Sequence, residues 1–297
     1  MKKIETLVED IYDTLANGSP SFSTIGNRIG DRIANSASRG LQPRKQSVRR
    51  DDGGIYFSNY SHKCPRSLWH KHHNLESIIP VNGSGKLRFL FGDIIEDMVL
   101  ELAHGSGHSV TDEQRWVSIG NTRGRVDAVI DGVVCDVKSA SPTAFRKFND
   151  GLGRKDDTFG YLGQLKGYLH CVRLGQIEAE TNRGGFLVVN RSTGEIALDI
   201  HEFSDDEIDN VPAAIEHTRR VVTGEQTPER AFEAVPEGKS GNLALQFECQ
   251  HCPAKHACWG KVRTFEYKYN NFTKYVDLVH VEREPRVKEV TIQNDDD

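Results

Sequence analysis

The stretch GRVDAVIDGVVCDVKS, Gly124 to Ser139, constrains the fold more than any other part of the chain. Asp131-Gly132 at its centre favours the left-handed backbone that both central residues of a type I′ turn need, which predicts a two-residue hairpin loop. Ile130 then pairs with Val133, and counting outward sets Asp127 opposite Asp136 on one face, with Cβ atoms about 4.5–5.5 Å apart. Lys138, two residues further on, projects from that same face. Opposed like charges destabilise a sheet unless something offsets them. A divalent cation does so, because hard cations collect carboxylate oxygens. A wet surface face explains any one of these residues; the three together on one hairpin favour a metal site.

The flanking patterns build a core around this hairpin. Residues 86–103 read as a strongly apolar helix carrying Gly92, Asp93, Glu96 and Asp97. Residues 114–120 read as a strand, 124–131 and 133–139 as the hairpin, 157–174 as a helix, and 185–190 and 195–203 as strands. Ser204 with Glu207 makes a capping box for a helix running to about residue 223. The predicted fold class is α/β, a mixed central sheet flanked by helices in the order helix, three strands, helix, strand. Gly92 and Glu96 share a helix face, as do Gln164 and Tyr168. Glu96 can reach the cation, and Gly92 leaves room for close approach of another backbone.

Ile4, Leu7, Val8, Ile11 and Leu15 predict a short amphipathic helix over 3–16 that docks on the protein's own core. Residues 17–54, rich in Gly, Ser and Arg, read as a loop or mobile arm, and Asn294 to Asp297 as a disordered polar tail.

The charge total of −5 in 297 residues argues weakly against nucleic acid, but it averages over an asymmetry. Residues 26–90 hold twelve Lys or Arg against four Asp or Glu. Such a basic third suits phosphates even in an acidic chain. Interleaved Tyr56, Phe57, Tyr60 and Trp69 add faces on which bases can stack. No apolar run approaches a membrane span, and the acidic N-terminus lacks a signal-peptide core. Six cysteines are too sparse for a disulfide scaffold. A reducing cytoplasm is the expected compartment, with clustered cysteines considered first as metal ligands.

Together the motifs resemble the RecB-like branch of the PD-(D/E)XK nuclease superfamily. The matching residues are Phe91-Gly92 with Glu96, Gly124-Arg125-Val126-Asp127, Asp136-Val137-Lys138, and Gln164 with Tyr168. Val126 stands where the superfamily often has proline, and Glu96 where many relatives have histidine. The resemblance implies a restriction-endonuclease-like core that hydrolyses phosphodiester bonds with Mg²⁺ or Mn²⁺. Glu96, Asp127, Asp136 and the Val137 carbonyl would hold the metal. Lys138 would position water and stabilise developing charge, and Gln164 and Tyr168 would orient Lys138 or the DNA backbone. It implies a DNA exonuclease acting on single strands or ends. The alternatives are a noncatalytic DNA-binding or structural module and an endonuclease of the same fold. Arg44, Lys45, Arg49, Arg50, Tyr60 and Arg66 are the candidates for DNA contact.

Cys249, Cys252 and Cys258 form a C-x2-C-x5-C run that calls for a fourth ligand, for which Cys64 is the candidate. Spacing alone leaves zinc and a [4Fe–4S] cluster open, with zinc the commoner answer. The resemblance, to AddB-type and CRISPR-associated RecB-like exonucleases, favours [4Fe–4S] on Cys64, Cys249, Cys252 and Cys258. Such a cluster would clasp the N- and C-terminal segments together. Cys135 and Cys171 read as core residues.

The expected organisation is a helix and basic arm at 1–54, a clasped nuclease domain at 55–265, and an extension with an acidic tail at 266–297. Gly83-Ser84-Gly85-Lys86 fails the phosphate-loop spacing, so no ATPase motor is encoded and a helicase or recombination partner has a place. His70, His72 and His73 read as surface or DNA-proximal. The implied setting is a phage or a prokaryotic repair or CRISPR-related system.

Overall fold

The computed structural model describes residues 2–18, 22–40, 53–74, 78–270 and 272–290. In chain order its elements are α1 (Leu7–Asn17), α2 (Phe22–Gly40), α3 (Pro65–His73), α4 (Gly83–Gly105), β1 (Val110–Thr111), β2 (Arg115–Ile119), β3 (Thr122–Val126), β4 (Ala128–Ile130), β5 (Val133–Ala140), α5 (Pro142–Asn149), α6 (Tyr161–Arg173), β6 (Arg183–Asn190), β7 (Ile196–Glu202), α7 (Asp205–Asp209), α8 (Val211–Thr223), β8 (Val235–Pro236), β9 (Leu243–Ala244), α9 (Phe247–Gln250), α10 (Lys255–Trp259), β10 (Arg263–Lys268), β11 (Thr273–His280) and β12 (Lys288–Val290). The chain divides into two compact units. One comprises Met1–Lys45, Ile55–Ser61 and Gly83–Glu216, the other Gln46–Gly54, His62–Asn82 and His217–Asp297.

The first unit is built on a five-stranded sheet in the order β1-β4-β5-β6-β7. β4 and β5 are antiparallel with Ile130 opposite Val133 and Ala128 opposite Cys135, the register expected from the turn. Asp131 and Gly132 both have positive φ, as a type I′ turn requires. β5 runs parallel to β6, and β7 returns antiparallel, so the sheet is mixed. Ile4, Leu7 and Ile11 pack with Val99, Leu100 and Ala103 of α4 against the sheet residues Ala128, Ile130, Val133, Cys135, Val137, Leu187 and Val189. Burying each such aliphatic side chain is worth about 1.5–3 kcal/mol, which docks the N-terminal helix on the chain's own core.

Three local expectations need correction. Residues 22–40 are helical, not an open arm. Long-range contacts override their weak helix propensity: Arg28 and Arg32 pair with Glu101 of α4 at 2.9 and 2.7 Å, and Arg32 also meets Glu113. Second, the strand around 124–131 is broken at Asp127. β3 leaves the main sheet and pairs with β2 as a separate two-stranded ribbon. The break has a local cause, since the Asp127 carboxylate accepts the Val137 N–H at 2.8 Å where a strand would offer a backbone carbonyl. Third, the helix after Ser204 is two helices. The capping box is present, but α7 ends at Asp209 and α8 starts at Val211.

The second unit contains α3 and a five-stranded sheet in the order β12-β10-β11-β9-β8. Its small core is Ala244, Phe265, Val276 and Leu278. Residues 266–290, expected to be an extension, thus supply β11, β12 and the second half of β10. Lys255 donates to Asp277 at 2.6 Å with both side chains buried, and Thr264 donates to the other oxygen of Asp277. The tail beyond Val290 lies outside the described residues. Among the described residues no helix is long and apolar enough to cross a membrane.

Candidate active site

Every candidate catalytic residue from the sequence meets in the first unit. Glu96, Asp127, Asp136, Val137, Lys138, Gln164 and Tyr168 line one cavity of about 310 Å³, together with Tyr56, Ser58, Trp116, Arg123, Gly124 and Arg125. Asp136 and Lys138 come from β5, which lies between β4 and β6, so their backbone is fixed on both sides. Asp127 sits at the break between β3 and β4, and α4 and α6 supply Glu96 and the Gln164–Tyr168 pair.

The polar contacts form a chain. Gln164 Nε2 donates to Asp136 Oδ1 at 2.9 Å and lies 2.8 Å from the Tyr168 hydroxyl, which itself donates to the Arg125 carbonyl at 2.6 Å. Gln164 therefore orients Asp136, and Tyr168 ties this pair to the β3 backbone. Neither is in hydrogen-bond contact with Lys138, the first role expected of them. The Lys138 ammonium meets Asp136 Oδ2 and lies 4.8 Å from the Tyr161 ring centroid. Asp136 is 1% exposed, and Lys138 is the partner of its Oδ2.

The glycine preceding Asp127 in this motif has a steric role. A Cβ on Gly124 would overlap the ring of Phe57 and come within 2.8 Å of Tyr168. Gly92, by contrast, has open space around it, so no backbone approaches there as the sequence reading expects.

Electrostatics in the cavity are dominated by negative charge removed from water. Burial pushes the Glu96 carboxyl up to about 7, Arg125 holds it down, and Asp97, Asp136 and Asp93 push it further up. Asp127 is raised well above the usual carboxylate range by burial first, then by Asp136 and Glu96. For Lys138 burial acts downward, but Asp136 and Asp127 outweigh it and hold the ammonium charged. Burial, then Asp136 and Asp127, raise the Tyr168 phenol.

Among the described residues no three His, Cys, Asp or Glu side chains converge on one metal position. Each carboxylate is turned to a protein donor instead: Asp136 to Gln164 and Lys138, Asp127 to the Val137 amide, Glu96 to Gln114. The donor set still suits a hard cation. It offers three mutually repelling carboxylates lining one cavity.

The DNA-contact candidates scatter. Arg44, Lys45, Arg49 and Arg50 lie outside the described residues. Tyr60 is 4% exposed and donates to the Gly163 carbonyl at 2.7 Å, so it serves the core. Phe57 and Trp69 are buried as well. The exposed aromatic at the cavity is Trp116, which the sequence reading passed over as an ordinary strand residue. The signal was there: exposed Trp116 alternates with buried Val117, as Arg123 and Arg125 alternate with buried Gly124.

In the second unit, Arg66 points Nε at Cys258 Sγ (3.1 Å) and Nη1 at the Pro228 carbonyl (2.7 Å). It supports the cysteine region and not the catalytic cavity. Cys64 precedes α3, Cys249 lies in α9, and Cys258 in α10. Burial raises the Cys64 thiol, and the charges of Cys252 and Cys258 raise it further. Cys249 is pushed up to about 11 by burial, then by Cys252, Cys64 and Cys258. Cys64 and Cys249 thus each feel the charge of Cys252 and Cys258, although among the described residues no three of these side chains converge on one metal position. Ser67 Oγ adds a contact to Cys252 Sγ at 3.3 Å. His70 and His72 are buried in α3, and His73 stacks on Trp69 at 4.3 Å. These histidines pack inside the second unit and do not form the surface cluster expected. Cys135 and Cys171 are fully buried in the first unit.

Comparison with known proteins adds three findings. Residues 66–259 match the family model of the PD-(D/E)XK nuclease superfamily. Five chains of solved structures match. One is the crystal structure of SSO0001, 16% identical, covering 77% of this chain and 95% of that one at a TM-score of 0.41. No curated protein matches.

Proposed function

For a chain that belongs to the PD-(D/E)XK nuclease superfamily, we propose metal-dependent hydrolysis of DNA phosphodiester bonds at the cavity holding Asp127, Asp136 and Lys138. One observation carries this reading. Buried Asp136 is clamped by Gln164 and faces the Lys138 ammonium, beside two further carboxylates, Glu96 and Asp127, whose ionisation is disfavoured by burial and by neighbouring negative charge. Such a cluster is costly for folding and is relieved by a cation.

Glu96, Asp127, Asp136 and the Val137 carbonyl would hold Mg²⁺ or Mn²⁺. When bound, the metal supplies Lewis acidity toward the phosphate and a water of lowered pKa. The protein's own groups do the rest. Lys138 keeps its proton and presents positive charge where the phosphate gains negative charge. Gln164 holds the Asp136 carboxylate in one orientation, and Tyr168 anchors Gln164 through the Arg125 carbonyl. The Tyr161 ring beside Lys138 limits the positions its ammonium can take.

The finer reading is an exonuclease on single-stranded DNA or DNA ends, of RecB-like type, with a [4Fe–4S] cluster on Cys64, Cys249, Cys252 and Cys258. Four cysteines in one compact unit, with Arg66 beside Cys258, support this ligand set. The test is cleavage of end-labelled linear single-stranded, duplex and circular single-stranded DNA with Mg²⁺ or Mn²⁺, against an Asp136→Ala control. Linear strands should be shortened from an end while circles persist. Circles cut as fast as linear strands overturn the exonuclease reading, and a fully active Asp136→Ala enzyme overturns the site. Anaerobic purification should give brown protein with about four iron atoms per chain. Colourless protein holding zinc would replace the cluster without touching the nuclease.

A further inference from the structure

The β2–β3 ribbon carries a face that the hydrolytic site does not use. Along β3 the residues alternate in burial, with Thr122, Gly124 and Val126 inward and Arg123 and Arg125 outward. On β2, Trp116 points out and Val117 in. Trp116 pairs across the ribbon with Arg125, and Ser118 with Arg123, so Trp116, Arg123 and Arg125 share the outer face. Trp116 is 61% exposed. The Arg123 guanidinium lies 5.6 Å from its ring centroid. A structural arginine would answer to a carboxylate, as Arg28 and Arg32 do on α4. Arg123 stacks on the indole instead, while Arg125 also faces Glu96, whose carboxyl it holds down. All three side chains line the cavity that contains Asp127, Asp136 and Lys138.

Exposing an indole is unfavourable, and a flat ring that shares its strand face with two arginines suits a partner that is both flat and anionic. A nucleobase offers a flat π face, and its neighbouring phosphates offer charge for guanidinium groups. A closed duplex keeps its base faces stacked internally, whereas an unpaired strand presents them. We propose that this ribbon face is a platform for a single-stranded nucleic acid, with an unpaired base on Trp116 and adjacent phosphates on Arg123 and Arg125, leading the strand to the cavity. The path to hydrolysis rests on the nuclease reading above; binding to the platform does not.

The test uses the full chain in EDTA, so that binding is read without cleavage. Wild type, Trp116→Ala, Trp116→Phe and Arg123→Gln are titrated with labelled oligo(dT), oligo(U) and a blunt duplex by fluorescence anisotropy. Intrinsic tryptophan emission is followed with unlabelled strands. Trp116→Ala should weaken single-strand binding about five- to a hundredfold, the range that one base stacked on an aromatic ring carries. Trp116→Phe should recover most of that affinity while losing the emission quench, and duplex affinity should change least. Loss on oligo(dT) alone assigns the platform to DNA, on oligo(U) alone to RNA, and on both to single strands of either sugar. Trp116→Ala binding within about twofold of wild type, or a quench that survives in Trp116→Phe, overturns the platform. Wild-type protein that binds and quenches but cleaves nothing with Mn²⁺ sinks the nuclease reading and leaves the platform standing. Cleavage without any Trp116 effect does the reverse.

Discussion

Glu96→Gln should make the metal-free protein more stable while removing a metal ligand. Glu96 has its carboxyl pushed from 4.5 to about 7 in the fold. Each pK unit corresponds to about 1.36 kcal/mol, so ionising Glu96 inside the folded chain costs about 3 kcal/mol at pH 8. The sign follows from proton counting. Between pH 4.5 and 7 the native state binds more protons at this site than the unfolded state, so stability falls as pH rises through that window and then levels off. A neutral glutamine has no such term. In EDTA at pH 8 the variant should exceed wild type by about 2–3 kcal/mol, a Tm gain on the order of 5–10 °C. At pH 5 the two should nearly coincide. Mg²⁺ should stabilise wild type more than the variant, and its affinity for wild type should rise with pH through 7, because binding displaces the proton. Urea melts at pH 5, 6, 7 and 8 with and without metal read all of this. Parallel stability–pH curves for the two proteins would refute the electrostatic account of the cavity.

Gly124→Ala must push against Phe57 and Tyr168 and should cost about 1–3 kcal/mol with a fall in cleavage rate; Gly92→Ala, in open space, should be neutral or stabilising by up to about 1 kcal/mol, as urea titration will show. Lys255→Met leaves Asp277 buried without its ammonium and should cost about 3–5 kcal/mol, whereas a Lys255→Met/Asp277→Leu double variant should regain most of it in the same melts. Gln164→Ala frees the Asp136 carboxylate to rotate and should lower kcat about ten- to a hundredfold with the fold intact by circular dichroism; an unchanged kcat would show that Lys138 alone positions Asp136.

Much of the site was legible because its determinants are local. Asp131-Gly132 dictates the hairpin register as far as Ala128 opposite Cys135, which leaves Asp127 and Asp136 as the next residues on either side, although Asp127 then leaves the strand. Helical spacing sets Gln164 beside Tyr168. What escaped depends on partners distant in sequence. α2 is held by ion pairs to Glu101 and Glu113, which no window around residues 22–40 contains. β3 departs from the sheet because one side chain, Asp127, captures the Val137 amide. The basic third was partly misleading for the same reason, since Arg28, Arg32 and Arg66 are engaged within the protein. The short strands of the second sheet pair across long intervals, β11 with β9 for example, and alternation over a few residues carries little weight alone.

The second unit draws on His62–Asn82 and, after Gly83–Glu216 of the first unit, on His217–Asp297. During synthesis this interleaving becomes a matter of time. At about 5–20 residues per second, roughly ten to thirty seconds separate the appearance of α3 from that of its partner segments. Through that interval Cys64, Trp69 and the histidines of α3 have been made but lack the later segments of their own unit, such as Gly224, which accepts from Trp69, while the hairpin with Asp127 and Asp136 can already form. Every residue that lines the hydrolytic cavity, Tyr56 to Tyr168, is therefore delivered by the ribosome before the segments that complete the second unit.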